Sequence, residues 1–274
     1  MMFISTLLID TGRNPDRPRP GRLWLRNLYR VHQRLCMAFP LKARKNDDKE
    51  FLKPYSPDDF PESRHIADMK KEEIGEKKLK HVHTPRGSEN GFLFRIDPQP
   101  AGNVVILVLS AIEPDWDYAF HNAGYLLAAP YEVKKYTPSV ENGKRFRFRL
   151  MANPTIKIDT TRKQERQSLS REEWRSKKGR HGKRVPVRNE ELFEWLVRKG
   201  EKCGFALGDD VIIQPGYVYM NKTGEVGNGK RLRSARYEGI LEVINPEIFR
   251  ETLVKGIGPG KAFGFGLLSL APVQ

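Results

Sequence analysis

The chain has 274 residues, 38% of them hydrophobic, which is enough for one large domain or two ordinary ones, each with its own core. Its 49 lysines and arginines outnumber 34 aspartates and glutamates to give a net charge of +15, which favours a polyanionic partner, nucleic acid ahead of an anionic membrane surface. The apolar stretch Phe3 to Ile9 is too short to cross a membrane and no basic residue precedes it, and the isolated Cys36 and Cys203 make neither a disulfide framework nor a zinc site, so a cytoplasmic protein without membrane attachment is expected.

Phe3 to Ile9 reads as a first strand, followed by a Pro/Arg-rich turn and a helix from Leu23 to Phe39. On that helix Trp24, Leu28, Val31, Leu35 and Phe39 make one apolar stripe, while Arg26, Arg30 and Arg34 line a nearly opposite face. From Lys42 to Asn90 charge replaces periodicity, and a long, mobile insertion is expected. Strands at Phe92 to Asp97 and Val104 to Ile112, a helix through Trp116 to Leu126 and a strand at Tyr131 to Thr137 complete the order strand, helix, strand, strand, helix, strand of a ferredoxin-like unit. Pro138 to Gly143 reads as a linker, which bounds a first domain at residues 1–139 and a second at 144–274.

The second domain repeats the order. Arg145 to Leu150 alternates without a fault, with Phe146, Phe148 and Leu150 on one face and three arginines on the other. Glu190 to Cys203 carries Leu192, Trp195, Leu196 and Lys199 at helical spacing, and Val211 to Met220 with Arg231 to Ile244 reads as a hairpin around Gly224 to Gly229. A last helix has Asn245 as cap, Pro246 and Glu247 in its first turn and Gly256 as its stop, and a short strand ends the chain. The expected fold is α+β, two tandem ferredoxin-like (RRM-like) domains with antiparallel sheets.

Three groups of residues could carry chemistry. Gly256, Gly258, Gly260, Gly264 and Gly266 let backbone N–H groups approach a phosphate, yet a strand follows them where a dinucleotide fold or a P-loop needs a helix, and Lys261 precedes Ala262 where a P-loop has Ser or Thr. Tyr29 and His32, three apart on the first helix, lie between its core and basic faces. A histidine half packed at the edge of a core is the commoner arrangement. A His and a Tyr beside an arginine row nevertheless suit RNA cleavage, in which one group takes the 2′-OH proton, another protonates the leaving 5′-oxygen, and cations stabilise the phosphorane without a metal. His81-x-His83 lacks a paired Cys or carboxylate cluster at ligand spacing, and Asp58-Asp59 and Asp209-Asp210, which could in principle seed a two-metal nuclease, read instead as solvated loop charge, so no metal site and no cofactor is expected. The third group is basic: a tract from Arg175 to Arg188 that includes Lys183 and Arg184, the strand residues Arg145, Arg147 and Arg149, and the hairpin residues Lys222, Lys230, Arg231 and Arg233. With Arg30, Arg34 and Lys261 these are the expected RNA contacts, and a charged two-stranded ribbon is a shape that enters a duplex groove.

Together, Leu28-Tyr29-Arg30-Val31-His32-Gln33-Arg34-Leu35, Phe148-Arg149-Leu150-Met151-Ala152-Asn153-Pro154, Val185-Pro186-Val187 and the segment from Gly256 to Pro272 resemble the CasE family, the CRISPR repeat-processing endoribonucleases of the type I-E Cascade complex within the RAMP superfamily. The resemblance spans both halves outside the insertion. It implies tandem ferredoxin-like domains, binding of the CRISPR repeat stem-loop, metal-independent cleavage of the precursor at the 3′ base of the stem to a 2′,3′-cyclic phosphate, and retention of the mature crRNA among the other Cascade subunits. By matching position it makes His32 the catalytic histidine, Tyr29 its partner and the Met220 to Arg236 region the basic hairpin. Some members carry a lysine five residues after the histidine; here that residue is Met37. A non-catalytic RNA-binding subunit of the same superfamily, with His32 merely packed, is the alternative.

Overall fold

A computed structural model describes residues 1–12, 20–40, 91–99, 102–159, 182–220 and 230–273. The expected insertion, the basic tract before Gly182, and the hairpin turn with Lys222 lie outside the described residues, as does the side chain of Lys230.

The first half contains β1 (Met2–Ile9), α1 (Pro20–Leu25), α2 (Leu28–Cys36), β2 (Phe92–Pro98), β3 (Val104–Ser110), α3 (Trp116–Phe120) and β4 (Glu132–Tyr136). Its strands lie in the order β2-β3-β1-β4 with every neighbour antiparallel, which is the ferredoxin-like arrangement. Strict alternation along β1 buries Phe3, Ser5, Leu7 and Ile9. Leu7 and Ile9 join Val31, Leu35, Phe94 and Trp116 in the first core.

Two helices differ from expectation. The segment Leu23 to Phe39 is not one helix: Asn27 leaves helical geometry at φ −112 and ψ 90, and its side chain accepts from the backbone N–H of Tyr29 and Arg30, which starts α2 afresh. The segment Trp116 to Leu126 is helical only to Phe120 and then turns through a 3₁₀ stretch, Gly124–Leu126, because Asn122 and Gly124 are poor helix formers.

The second half contains β5 (Arg145–Ala152), β6 (Thr155–Asp159), β7 (Gly182–Pro186), α4 (Leu192–Cys203), β8 (Phe205–Leu207), β9 (Ile212–Met220), β10 (Lys230–Val243), α5 (Pro246–Lys255) and β11 (Leu268–Pro272). The sheet order β11-β5-β10-β8, with β9 also on β10, is the same topology, its second strand divided into β8 and β9. Phe146, Phe148 and Leu150 of β5 face α4 and α5, contributing to a second core with Trp195, Leu196, Phe249 and Leu253. The ribbon β6–β7 was not legible: it pairs residues on either side of a charged stretch that shows no alternation of its own.

The halves meet on the back of the first sheet. Successive residues of β2 point to opposite faces, so Phe92 and Phe94 turn toward α2 while Leu93 and Arg95 turn toward the second half. Leu93 and Leu109 bury Leu267 between them. Arg95, 4% exposed, donates from Nε to both oxygens of Asp97 at 2.9 Å, and from Nη1 to the Arg149 carbonyl at 3.2 Å and Ser269 Oγ at 2.7 Å. It bolts the first sheet to two strands of the second. Beside it a cleft of about 520 Å³ is lined by Arg95, Arg147, Arg149, Ile212, Glu238 and Ser269 among others.

Arg95→Ala is expected to lower the free energy of unfolding by about 3 kcal/mol or more, because it strips Asp97, the Arg149 carbonyl and Ser269 of their buried partner; a denaturation curve superimposable on wild type would refute the bolt. Burial pushes the Glu238 carboxyl up, but the hydrogen bond and charge of Arg236 and the charge of Arg149 outweigh it and hold the group below the usual glutamate value. Stabilisation from a depressed carboxylate is complete above the usual glutamate value and is lost as pH falls toward the folded one. Glu238→Gln is therefore expected to flatten the acid limb of melting temperature against pH, and an acid limb of unchanged slope would show that Glu238 contributes nothing there.

Candidate active site and nucleic-acid interface

His32 does not sit at a half-exposed boundary. It is 5% exposed, with its ring centroid 5.5 Å from that of Phe92 and 6.1 Å from that of Phe94. The helical period placed it near the core stripe, but only strand pairing could show that β2 lays two aromatic rings against it. Tyr29, half-buried, lies one turn before it on α2. Cys36, one turn after, brings Sγ to 3.7 Å from His32 Nε2. The i+4 spacing of Cys36 from His32 is legible in the sequence, but the direction of its thiol is not.

The glycine loop is brought to the same helix. The 3₁₀ turn Lys261–Phe263 packs against α2 and β2, so residues from the two ends of the chain share one wall of the site. All five glycines of the loop have positive φ, which L side chains rarely adopt. The space their side chains would fill is occupied by protein: a Cβ on Gly256 would lie 2.8 Å from both methyls of Leu93, and one on Gly264 would lie 3.3 Å from the Phe94 ring. The loop expected to cradle a phosphate thus has a packing duty, seating the second half on β2. Lys261 projects from it, exposed, and its ammonium is pulled below the ordinary lysine value by desolvation first, with the like charge of Lys199 adding and Cys203 opposing.

The expected RNA contacts divide between several places. Arg34 turns inward, donating to the Ala119 carbonyl and to Asn122 Oδ1, each at 2.9 Å, and burial pulls its guanidinium below the usual value. It ties α2 to the end of α3, which corrects its expected place on an exposed basic face. Arg30 is half-buried, and Arg145 and Arg147 are exposed on the open face of β5. Arg149 on that face is paired with Glu238. Arg147 and Arg149 line the cleft behind the first sheet, on the opposite face of β2 from His32, so the structure does not bring the arginine strand and His32 together.

The hairpin β9–β10 is a second positive surface. Lys230 to Ser234 pair with β9 alone, beyond the end of β5, and so form a two-stranded ribbon past the body of the sheet. Tyr219 is opposite Arg231 and Tyr217 opposite Arg233. The Arg231 guanidinium lies 3.7 Å over the Tyr217 ring and that of Arg233 lies 5.0 Å from it, both in cation–π range, and hydrogen bonding from Arg231, then from Arg233, holds the Tyr217 hydroxyl below the ordinary tyrosine value. Arg233 is itself buried and bonded to Asn189. Tyr217 and Tyr219 are large exposed aromatics that the charge pattern overshadowed. Lys183 and Arg184 are exposed on β7, with Lys157 of β6 opposite Arg184. Among the described residues no helix is long and apolar enough to cross a membrane.

A model of the family described as CRISPR associated protein matches residues 78–272. The chain is 35% identical over 191 residues to the CRISPR-associated endoribonuclease Cse3 of Thermus thermophilus, spanning 66% of this chain and 79% of that protein. It is 24% identical over 256 residues to the CRISPR system Cascade subunit CasE of Escherichia coli K12, spanning 92% of this chain and 96% of that one. The solved structure of Thermus thermophilus Cse3 bound to an RNA representing a pre-cleavage complex is similar with a TM-score of 0.64 at 26% identity, covering 99% of both chains. The chain belongs to the CRISPR-associated protein family to which that model, Cse3 and CasE point.

Proposed function

We infer that this chain is the endoribonuclease that processes CRISPR repeat RNA and stays with its product among the other Cascade subunits. The observation that carries the reading is the likeness of nearly the whole chain to Cse3 held on a pre-cleavage RNA. The stem-loop engages the β9–β10 ribbon, whose width and charge suit a duplex groove, and scission occurs at the 3′ base of the stem beside α2.

The chemistry follows from the reacting groups of RNA and the side chains on α2. The 2′-oxygen attacks the adjacent phosphorus, the bond to the 5′-oxygen breaks, and a 2′,3′-cyclic phosphate remains on the upstream product. One proton must leave the 2′-OH and one must reach the 5′-oxygen; His32 and Tyr29 are the pair assigned to those transfers. The phosphorane gathers negative charge, and Lys261, carried to α2 by its turn, is the cation assigned to that wall. No step calls for a metal ion.

His32→Ala is expected to lower single-turnover cleavage of a cognate repeat RNA by about 10²–10⁴-fold, while the wild type cuts equally well in EDTA. Undiminished cutting by the variant would remove His32 from the reaction, loss of wild-type cutting in EDTA would remove the metal-free route, and binding without cutting by either protein would favour a non-catalytic RNA-binding subunit. Arg231→Ala is expected to weaken stem-loop binding and to reduce the slope of log affinity against log salt by about 1; an unchanged slope would mean that Arg231 meets no phosphate.

A further inference from the structure

The two nitrogens of the His32 imidazole have different surroundings. Its ring lies against Phe92 and Phe94, and Nδ1 is sealed from solvent. Nε2 is therefore the nitrogen through which proton exchange with an RNA oxygen is assigned. That nitrogen faces Cys36, whose Sγ is 3.7 Å away on the next turn of the same helix. A thiol is a weak donor and a weaker acceptor, whereas a bare imidazole nitrogen is a good acceptor, so the natural arrangement is S–H donating to Nε2. Such a contact places the ring proton on Nδ1 and leaves Nε2 bare, which sets the tautomer as well as the ring rotation.

We propose that Cys36 is the positioning residue of the catalytic histidine, holding Nε2 outward and in its acceptor form until an RNA oxygen takes the thiol's place. The proposal rests on the assignment of His32 to the reaction. It accounts for three features together: a ring laid against two phenylalanines with Nδ1 buried, a polar side chain at Nε2, and a contact partner that is small and half-buried, so that a reacting oxygen can take its place. It also makes Cys36 a modification site that governs activity. A group attached to sulfur stands where the reacting oxygen must come.

The chain has two cysteines, so a Cys203→Ser background leaves Cys36 as the single thiol. In that background a methanethiosulfonate reagent is expected to abolish cleavage, a reducing thiol to restore it, and bound repeat RNA carrying a 2′-deoxy residue at the scissile position to slow the modification. Cys36→Ala is expected to cut on the order of tenfold more slowly at saturating RNA, with RNA affinity within about twofold of wild type, and Cys36→Ser to recover most of the rate. In ¹⁵N-edited spectra of the imidazoles, the His32 signals should show the Nδ1–H tautomer in wild type and a tautomer mixture in Cys36→Ala, with matched melting temperatures guarding against unfolding. Cleavage by Cys36→Ala at the wild-type rate, or a His32 tautomer unmoved by that substitution, would overturn the proposal while leaving His32 catalytic. Unimpaired cutting by His32→Ala would instead overturn the assignment on which it rests.

Discussion

Everything in this molecule depends on the two-sidedness of β2. A strand turns successive side chains to opposite faces, and here each face has a separate task. Phe92 and Phe94 form the wall on which the His32 ring is stacked. Leu93 and Arg95, the residues between and after them, hold the second half of the chain through Leu267 and through hydrogen bonds to Arg149 and Ser269. A slip of one residue in pairing with β3 would exchange these faces, putting an arginine under α2 and two phenylalanines against the second half. The position of the imidazole and the union of the two halves are thus set by one register.

The glycine loop completes that arrangement from the far end of the chain. Its conformation brings the Lys261–Phe263 turn onto α2 while Gly256 and Gly264 come within side-chain distance of Leu93 and Phe94, one on each face of β2. Backbone can approach β2 that closely only where there is no Cβ, which gives these glycines a mechanical reason apart from any ligand. A loop rich in positive-φ glycine suggests phosphate binding whenever it is met in isolation. Here the protein itself fills the space, and the polar group left facing outward is a side chain, Lys261.

Charge is distributed by the same logic. Among the described residues the cations do not form one continuous surface. Arg147 and Arg149 of β5 line the cleft behind the first sheet, whereas the β9–β10 ribbon carries Arg231 over Tyr217 beyond the sheet's edge. A guanidinium held over an aromatic ring is already restricted, so it loses little further freedom on meeting a phosphate. Arg34, by contrast, has been drawn into the fold, where its hydrogen bonds to Ala119 and Asn122 anchor the helix that bears His32. Identical residue types therefore serve recognition in one place and architecture in another, and burial decides which.

The sequence by itself determined the order of elements, because alternation in β1 and β5, the Asn245 cap with Pro246 behind it, and the hairpin strands are local signals that need no partner to be read. It also picked out Tyr29, His32 and Lys261, whose residue types and surroundings on the chain suggested their chemistry. It did not determine that Asn27 would break the first helix, since a cap and a mid-helix asparagine look alike until the backbone is seen. Nor could it show the β6–β7 ribbon, the burial of His32 between helix and aromatic strand, the division of the arginines between two surfaces, or the thiol facing Nε2. Each of those arises from pairing between residues far apart in the chain or from the rotation of a side chain within its packing. Periodicity describes one element at a time, and only the tertiary structure says what that element is pressed against.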